Sequence, residues 1–186
     1  MSVGDSAVEI AHVGVIVDRL VVDNPWCDHR WTVAQVLPSV PELVEPWTVL
    51  SAEPGRTRYF AGSAEIALYP RETDTLRYNI EDLAPKLYVF LRASDAPPGI
   101  ALLGATACPG EAHAHADTGA DLVEAVPMPS PIVAWVEDFI RRHHVERPVY
   151  RRRRDRADPQ ALSVGRPDDA HRRHHIAAED VFDDDE

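Results

Sequence analysis

Asp28, His29 and Arg30 stand side by side, and an indole closes the run at each end, Trp26 before and Trp31 after. An imidazole next to a carboxyl group could act as an acid–base pair, and Arg30 could clamp an anion. Adjacent residues of a strand point to opposite faces, however, so Asp28 and His29 meet only if the local turn twists them together. No nucleophile with a partner base stands nearby. A second grouping, Cys108, Glu111, His113 and His115, has the residue types of a metal site, with Cys27 and His29 as further donors. It lacks the Cys-x2-Cys or His-x3-His spacing that zinc sites use. On a helix, His113 and His115 would lie roughly 200° apart and could not share one ion. No metal and no cofactor are expected. Neither a phosphate loop nor a dinucleotide glycine motif is present.

The elements around these residues follow from periodicity and turn chemistry. Val13, Val15 and Val17 alternate with β-branched neighbours and predict a strand that stops at Asp23-Asn24-Pro25. Pro25 fixes its backbone and donates no hydrogen, while Asn and Asp bond their own backbone in turns. Further strands are predicted over 32–37, 47–51, 58–69, 87–91, 100–107 and 122–126. Pro54-Gly55 makes the 47–51 and 57–69 segments an antiparallel hairpin, and Gly62 marks a bulge or close approach. Helices are predicted over 71–81, capped by Thr73 or Asp74, over 109–116 with Pro109 at its start, and over 130–144. The last has Ser130 as cap, Pro131 in its first turn and an Ile132, Trp135, Val136, Phe139, Ile140 stripe that packs on the sheet. The expected fold is α+β, a mostly antiparallel twisted sheet of six to seven strands with two or three helices. Too few crossover helices exist for a parallel sheet.

Length fits one domain of roughly 150 residues with an extension. Residues 1–9 read as a flexible N-terminus, 10–150 as the domain and 151–186 as a charged, disordered tail. Residues 1–150 hold 11 basic residues against 21 acidic, while 151–186 hold 8 Arg against 10 acidic, for a net charge of −12. An acidic body repels phosphate backbones, which weighs against nucleic acid as the main partner. No apolar run approaches the ~20 residues of a membrane span, and no secretion signal opens the chain. Two cysteines allow one bridge at most. The expected location is the cytoplasm. Arg151, Arg152, Arg153, Arg154 and Arg156 form a basic run without interleaved stacking aromatics, so it reads as a tail docking an acidic protein surface.

Several segments occur together in order: Val13-Gly-Val-Ile-Val, Asp23-Asn-Pro-Trp-Cys-Asp-His-Arg-Trp, Pro46-Trp-Thr-Val-Leu, Arg58-Tyr-Phe-Ala-Gly, Arg77-Tyr-Asn, Val126-Pro-Met-Pro and His144-Val-Glu-Arg-Pro. In this the chain resembles an uncharacterised proteobacterial family over residues 11–165, the Asn-Pro-Trp segment being its most specific part. The resemblance implies a small cytoplasmic protein encoded beside formate dehydrogenase and other molybdoenzyme genes, hence an accessory role in maturing such an enzyme. Some relatives carry the label of molybdopterin-guanine dinucleotide synthesis. The glycine-rich nucleotide loop that such a transferase needs is absent here. The resemblance transfers no catalytic residues.

The expectation is therefore a non-catalytic binding or accessory protein with a protein partner. Its recognition surface comprises Asp23, Asn24, Trp26, Asp28, His29, Arg30 and Trp31, joined by Tyr78. Two alternatives stand beside it: a small enzyme using His29 and Asp28 in a pocket under Tyr78, and a nucleic-acid binder acting through the Arg-rich tail.

Overall fold

A strand with apolar residues on one side only must bury that side, and the first strand sets the core. The computed structural model of the chain describes residues 8–146. In it β1 (Glu9–Val21) buries Val13, Val15 and Val17 completely. It is paired antiparallel on both edges, with β2 (His29–Leu37) on one side and β4 (Arg56–Leu68) on the other. β3 (Thr48–Glu53) adds to the far edge of β4, giving a four-stranded sheet in the order β2-β1-β4-β3. Central β5 (Lys86–Ala93), with β6 (Ile100–Thr106) and β7 (Leu122–Pro127) on either side, makes a second antiparallel sheet. The expected α+β fold is what forms, its seven antiparallel strands divided between two sheets. β6 runs close to β4 and β7 close to β2. The seven strands accordingly wrap one apolar core in the manner of a partly closed barrel.

Bulges supply the curvature. Each adds one residue to a strand, bends it and sharpens its twist. Opposite Ile16 and its neighbours, β2 carries Ala34 as an extra residue and β4 carries Ala61, so β1 is flanked by a bulge on each side. The phase of burial changes there: Trp31 and Val33 point inward before Ala34, and Val36 after it. The predicted irregularity at Gly62 is this bulge on β4. Gly62 has φ 125°, a conformation that side chains disfavour, and faces the ring of Pro46. The Pro54-Gly55 turn joins β3 and β4 as predicted, with Gly55 at φ 81°.

Three helices cover the strands. α1 (Thr73–Ile80) follows a 3-10 turn at Pro70–Glu72, α2 is Pro109–Asp117 and α3 is Ser130–His143. The expected caps are displaced by one residue. Glu72 and Pro129 occupy the N-cap positions, and neither makes a side-chain cap bond. Thr73 is instead drawn into the preceding turn, donating to the Pro70 carbonyl. α3 buries Ile132, Val136 and Phe139 as its stripe requires. The indole of its Trp135 donates to Glu9 of β1 at 3.1 Å, and Arg142 grips the same carboxylate. Glu9, read as part of a flexible end, therefore opens β1 and is held by α3. Asn79 ties α1 to the second sheet. Its amide donates to the carbonyls of Lys86 and Ala107 at 2.8 and 2.7 Å, and its oxygen accepts from the Lys86 amide at 3.0 Å. The tail from residue 147, including the Arg151–Arg156 run, lies outside the described residues.

Asp18 and Arg58 face each other across β1 and β4 and form a two-pronged ion pair at 2.7 and 2.9 Å. The hydrogen bonds from Arg58 hold the Asp18 carboxyl below its usual range. A folded-state carboxyl held low adds stability above its unfolded value, and that stability is lost as pH falls through the folded value. Asp18→Asn is expected to cost about 2–3 kcal/mol at neutral pH. This is below the roughly 3–5 of a fully enclosed pair, because Arg58 is partly solvated. Urea unfolding followed from pH 7 to pH 2 checks it: the deficit should shrink below about pH 4. A deficit constant across that range would remove the pair as its cause.

Candidate functional site

The connection from β1 to β2 is short and internally bonded. The Val22 amide donates to the Asp28 carbonyl at 3.2 Å, closing the turn across its neck. Inside it, the Asn24 side chain accepts from the Trp26 amide at 2.9 Å, and the Asn24 carbonyl accepts from the Cys27 amide at 3.3 Å. This is the local bonding that Asn before Pro favours. The turn is thus braced by its own residues, and its tip is Trp26. That indole is 91% exposed. Asp23, Asn24, Asp28 and Arg30 are exposed around it.

Trp31 has the opposite fate. β2 starts at His29, three residues earlier than the sequence reading placed it, so Trp31 shares the inward phase of Val33. It is 8% exposed and packs edgewise on Trp47 at 6.3 Å and at a tilt on Tyr59 at 5.6 Å between ring centroids. The expected place of Trp31 on an outward recognition face is corrected: it is a core residue that anchors the base of the turn. Trp47 completes this aromatic cluster with φ 64°, an uncommon value for a bulky residue. Its amide donates to the Phe60 carbonyl. The ring packing and this bond together hold the strained backbone in place.

His29 lies between these two environments. It is half-buried, edge-on to Trp31 at 5.9 Å, and its Nδ1 is 3.3 Å from Nη2 of Arg19 on β1. Its bonded neighbour is Arg19, and Asp28 stays out in solvent. His29 and Trp31 form one wall of an open cleft of about 440 Å³, whose other walls come from the β5–β6 loop and the segment entering β7. Tyr78 is not part of that cleft. It stands on α1, 78% exposed. The turn residues are therefore brought together and Tyr78 is not joined to them.

One polar cluster escaped the sequence reading. The Asp121 side chain is 1% exposed and accepts from Arg92 Nε at 2.6 Å on one oxygen, while His115 Nδ1 lies 2.9 Å from the other. Arg92 first, and His115 second, hold its carboxyl below the usual range. The His115 ring stacks on Phe90 at 3.9 Å. These residues come from three elements and share no sequence spacing, so no pattern could have announced them. The same network separates the donors considered for a metal. His115 goes to Asp121, His113 stands 3.7 Å from Asp117, and the Cys108 thiol is buried beside the Thr75 hydroxyl at 3.2 Å. Among the described residues no three metal-binding side chains cluster.

The two indoles of the turn give a direct contrast. Trp31→Ala should lower unfolding stability by about 3–5 kcal/mol, because it empties a packed aromatic site. Trp26→Ala should stay within about 0.5 kcal/mol of the parent. Urea denaturation of both variants reads this, and equal losses would contradict the assigned burial.

Among the described residues no helix is long and apolar enough to cross a membrane. No curated protein and no solved structure matches the chain. A family model described as a protein of unknown function, DUF3305, matches residues 12–154. That span covers most of the chain, from near the start of β1 past the end of α3, and on this match the protein belongs to the DUF3305 family.

Proposed function

We propose that the chain is a non-catalytic accessory protein of the cytoplasm whose Asp23–Arg30 turn docks a protein partner. The observation that carries this reading is the exposed Trp26 indole on a turn braced by Asn24. An indole left in water at the tip of a stiff turn offers a large apolar area with little ordering cost on binding. Trp and Arg are favoured anchors of protein interfaces, and Arg30 stands exposed at the start of β2, where the turn ends. Asp23 and Asp28 surround the indole with a polar rim, the usual anatomy of such a contact.

The partner class comes from the family resemblance, which implies a formate dehydrogenase or a related molybdoenzyme in the course of maturation. An acidic body favours a protein partner over nucleic acid. The fold lends itself to such a role because the turn is held at its base by Trp31, so the docking residues are presented and not merely tethered.

Affinity purification of the tagged chain from its native host tests the reading. A molybdoenzyme subunit should co-elute with the parent protein. With Trp26→Ala its recovery should fall about tenfold, the loss expected of an anchoring residue. Undiminished recovery with Trp26→Ala, or an eluate without any molybdoenzyme, would overturn the proposal.

A further inference from the structure

A helix packed on a sheet turns its apolar stripe inward and leaves its outer face polar. α1 and α3 depart from this where they meet. His144, just past the end of α3, lies 3.3 Å from Thr73 and 3.6 Å from Asp74 at the start of α1, so the two helices run antiparallel. Between them an open groove of about 360 Å³ is lined by Ile80 and Ile140, each only half-buried.

Four charged side chains rim the groove, two of each sign. Along α1 the base comes first, Arg77 before Glu81, and along α3 the acid does, Glu137 before Arg141. Because the helices are antiparallel, both arginines root toward one end, beside His144, and both glutamates toward the other. Arg77 donates to Glu81 at 2.7 Å and Arg141 to Asp138, while Glu137 forms no ion pair among the described residues. Both pairs are exposed and lie within one helical turn, a kind that is weak and exchanges partners at little cost. Asp74 and Glu146 also stand near Arg77, but neither lines the groove.

Such a face is complementary to itself. A two-fold axis through the groove lays the arginine end of one copy on the glutamate end of the other, and the isoleucines of both meet at the centre. Chains of net charge −12 repel one another, whereas the two bases and two acids of this rim cancel. We propose that the groove between α1 and α3 is the contact between two copies of this chain, paired about a two-fold axis. Arg141 of each copy meets Glu137 of the other around a centre of Ile80 and Ile140. Leu83, just beyond Glu81, and Val145, just beyond His144, are exposed at opposite ends and extend the apolar contact. The helices are short, so the buried area lies at the low end for a specific interface, and the dimer is weak and salt-sensitive. This face is separate from the Trp26 docking surface and does not depend on it.

Sedimentation velocity of the full chain, from about 5 to about 500 µM, spans the micromolar affinity of a contact this small. In low salt the mean mass should rise from that of one chain toward that of two, and added salt should reverse the rise. Glu137→Arg sets arginine against arginine at both ends, and Arg141→Glu sets glutamate against glutamate. Each alone should weaken pairing about tenfold or more. Mixed in equal amounts, the two variants should pair again, because every arginine then faces a glutamate. A merely local effect on folding cannot produce that recovery. Glu42→Arg, the same charge change on the exposed loop before β3, and Trp26→Ala should both leave pairing unchanged. Should Arg141→Glu fail to fold, Glu137→Arg still reads the contact, since Glu137 has no ion pair to lose. A chain that stays monomeric throughout would overturn the proposal and leave the groove to a different protein. Undiminished pairing in Glu137→Arg, no recovery in the mixture, or pairing lost in Trp26→Ala would each overturn it as well.

Discussion

A strand paired on both edges has no freedom of register, and β1 is that strand. Its inward side chains are valines with no exposure, and sliding it by one residue would turn all of them to solvent. Its two neighbours both run antiparallel to it, so the chain must reverse at once after Val21. The reversal is the turn between Val22 and Asp28. The paired bulges at Ala34 and Ala61 then bend the neighbours around β1 and bring the second sheet against them. Turn, aromatic cluster and cleft all sit at the end of the fold where β1 runs out. Their nearness is a result of topology before it is a result of side-chain chemistry.

The polar interior follows a consistent rule: each enclosed charge or amide joins two elements that the apolar core alone would leave free to slide. Asp18 and Arg58 lock β1 to β4. Asn79 fixes α1 against the ends of β5 and β6, satisfying its amide with three backbone bonds. Asp121 holds the segment before β7 to β5 and α2. Enclosed polar groups are costly unless fully bonded, and these are bonded. The exception among the described residues is His143, whose buried Nε2 has no hydrogen-bond partner.

How much of this could be read in the chain depended on whether the signal was local. The alternating valines of β1, the Pro54-Gly55 hairpin, the Gly62 bulge, the apolar run of β5 and the α3 stripe each lie within one element, and each was legible. The bulge at Ala34 was not, since an alanine has no need of special backbone geometry and leaves no mark. That omission had a cost at the site. With β2 begun at Thr32, Trp31 looked like a turn residue equivalent to Trp26, and an inward-facing core indole was grouped with an exposed one. Had the strand been started at His29, the shared parity of Trp31 and Val33 would have separated them. The helix caps failed by one residue for a related reason: Pro70 and Pro129 set the entry angle of the chain before the expected cap residues could act. Contacts such as Arg92 with Asp121, or Arg19 with His29, join distant positions and leave no trace in spacing.

The clasp formed by Glu9 with Trp135 and Arg142 has a topological meaning. It draws the start of the first strand and the close of the last helix to one spot, so the described unit is nearly a ring. Joining its ends through a few added residues would carry a small loop-closure entropy, and the order of elements around the barrel would be untouched. A circularly rearranged chain, opened instead in the β5–β6 or β3–β4 hairpin, is in principle the same molecule. What defines this architecture is the cyclic neighbour relation of its strands, not the place where the polypeptide happens to be cut.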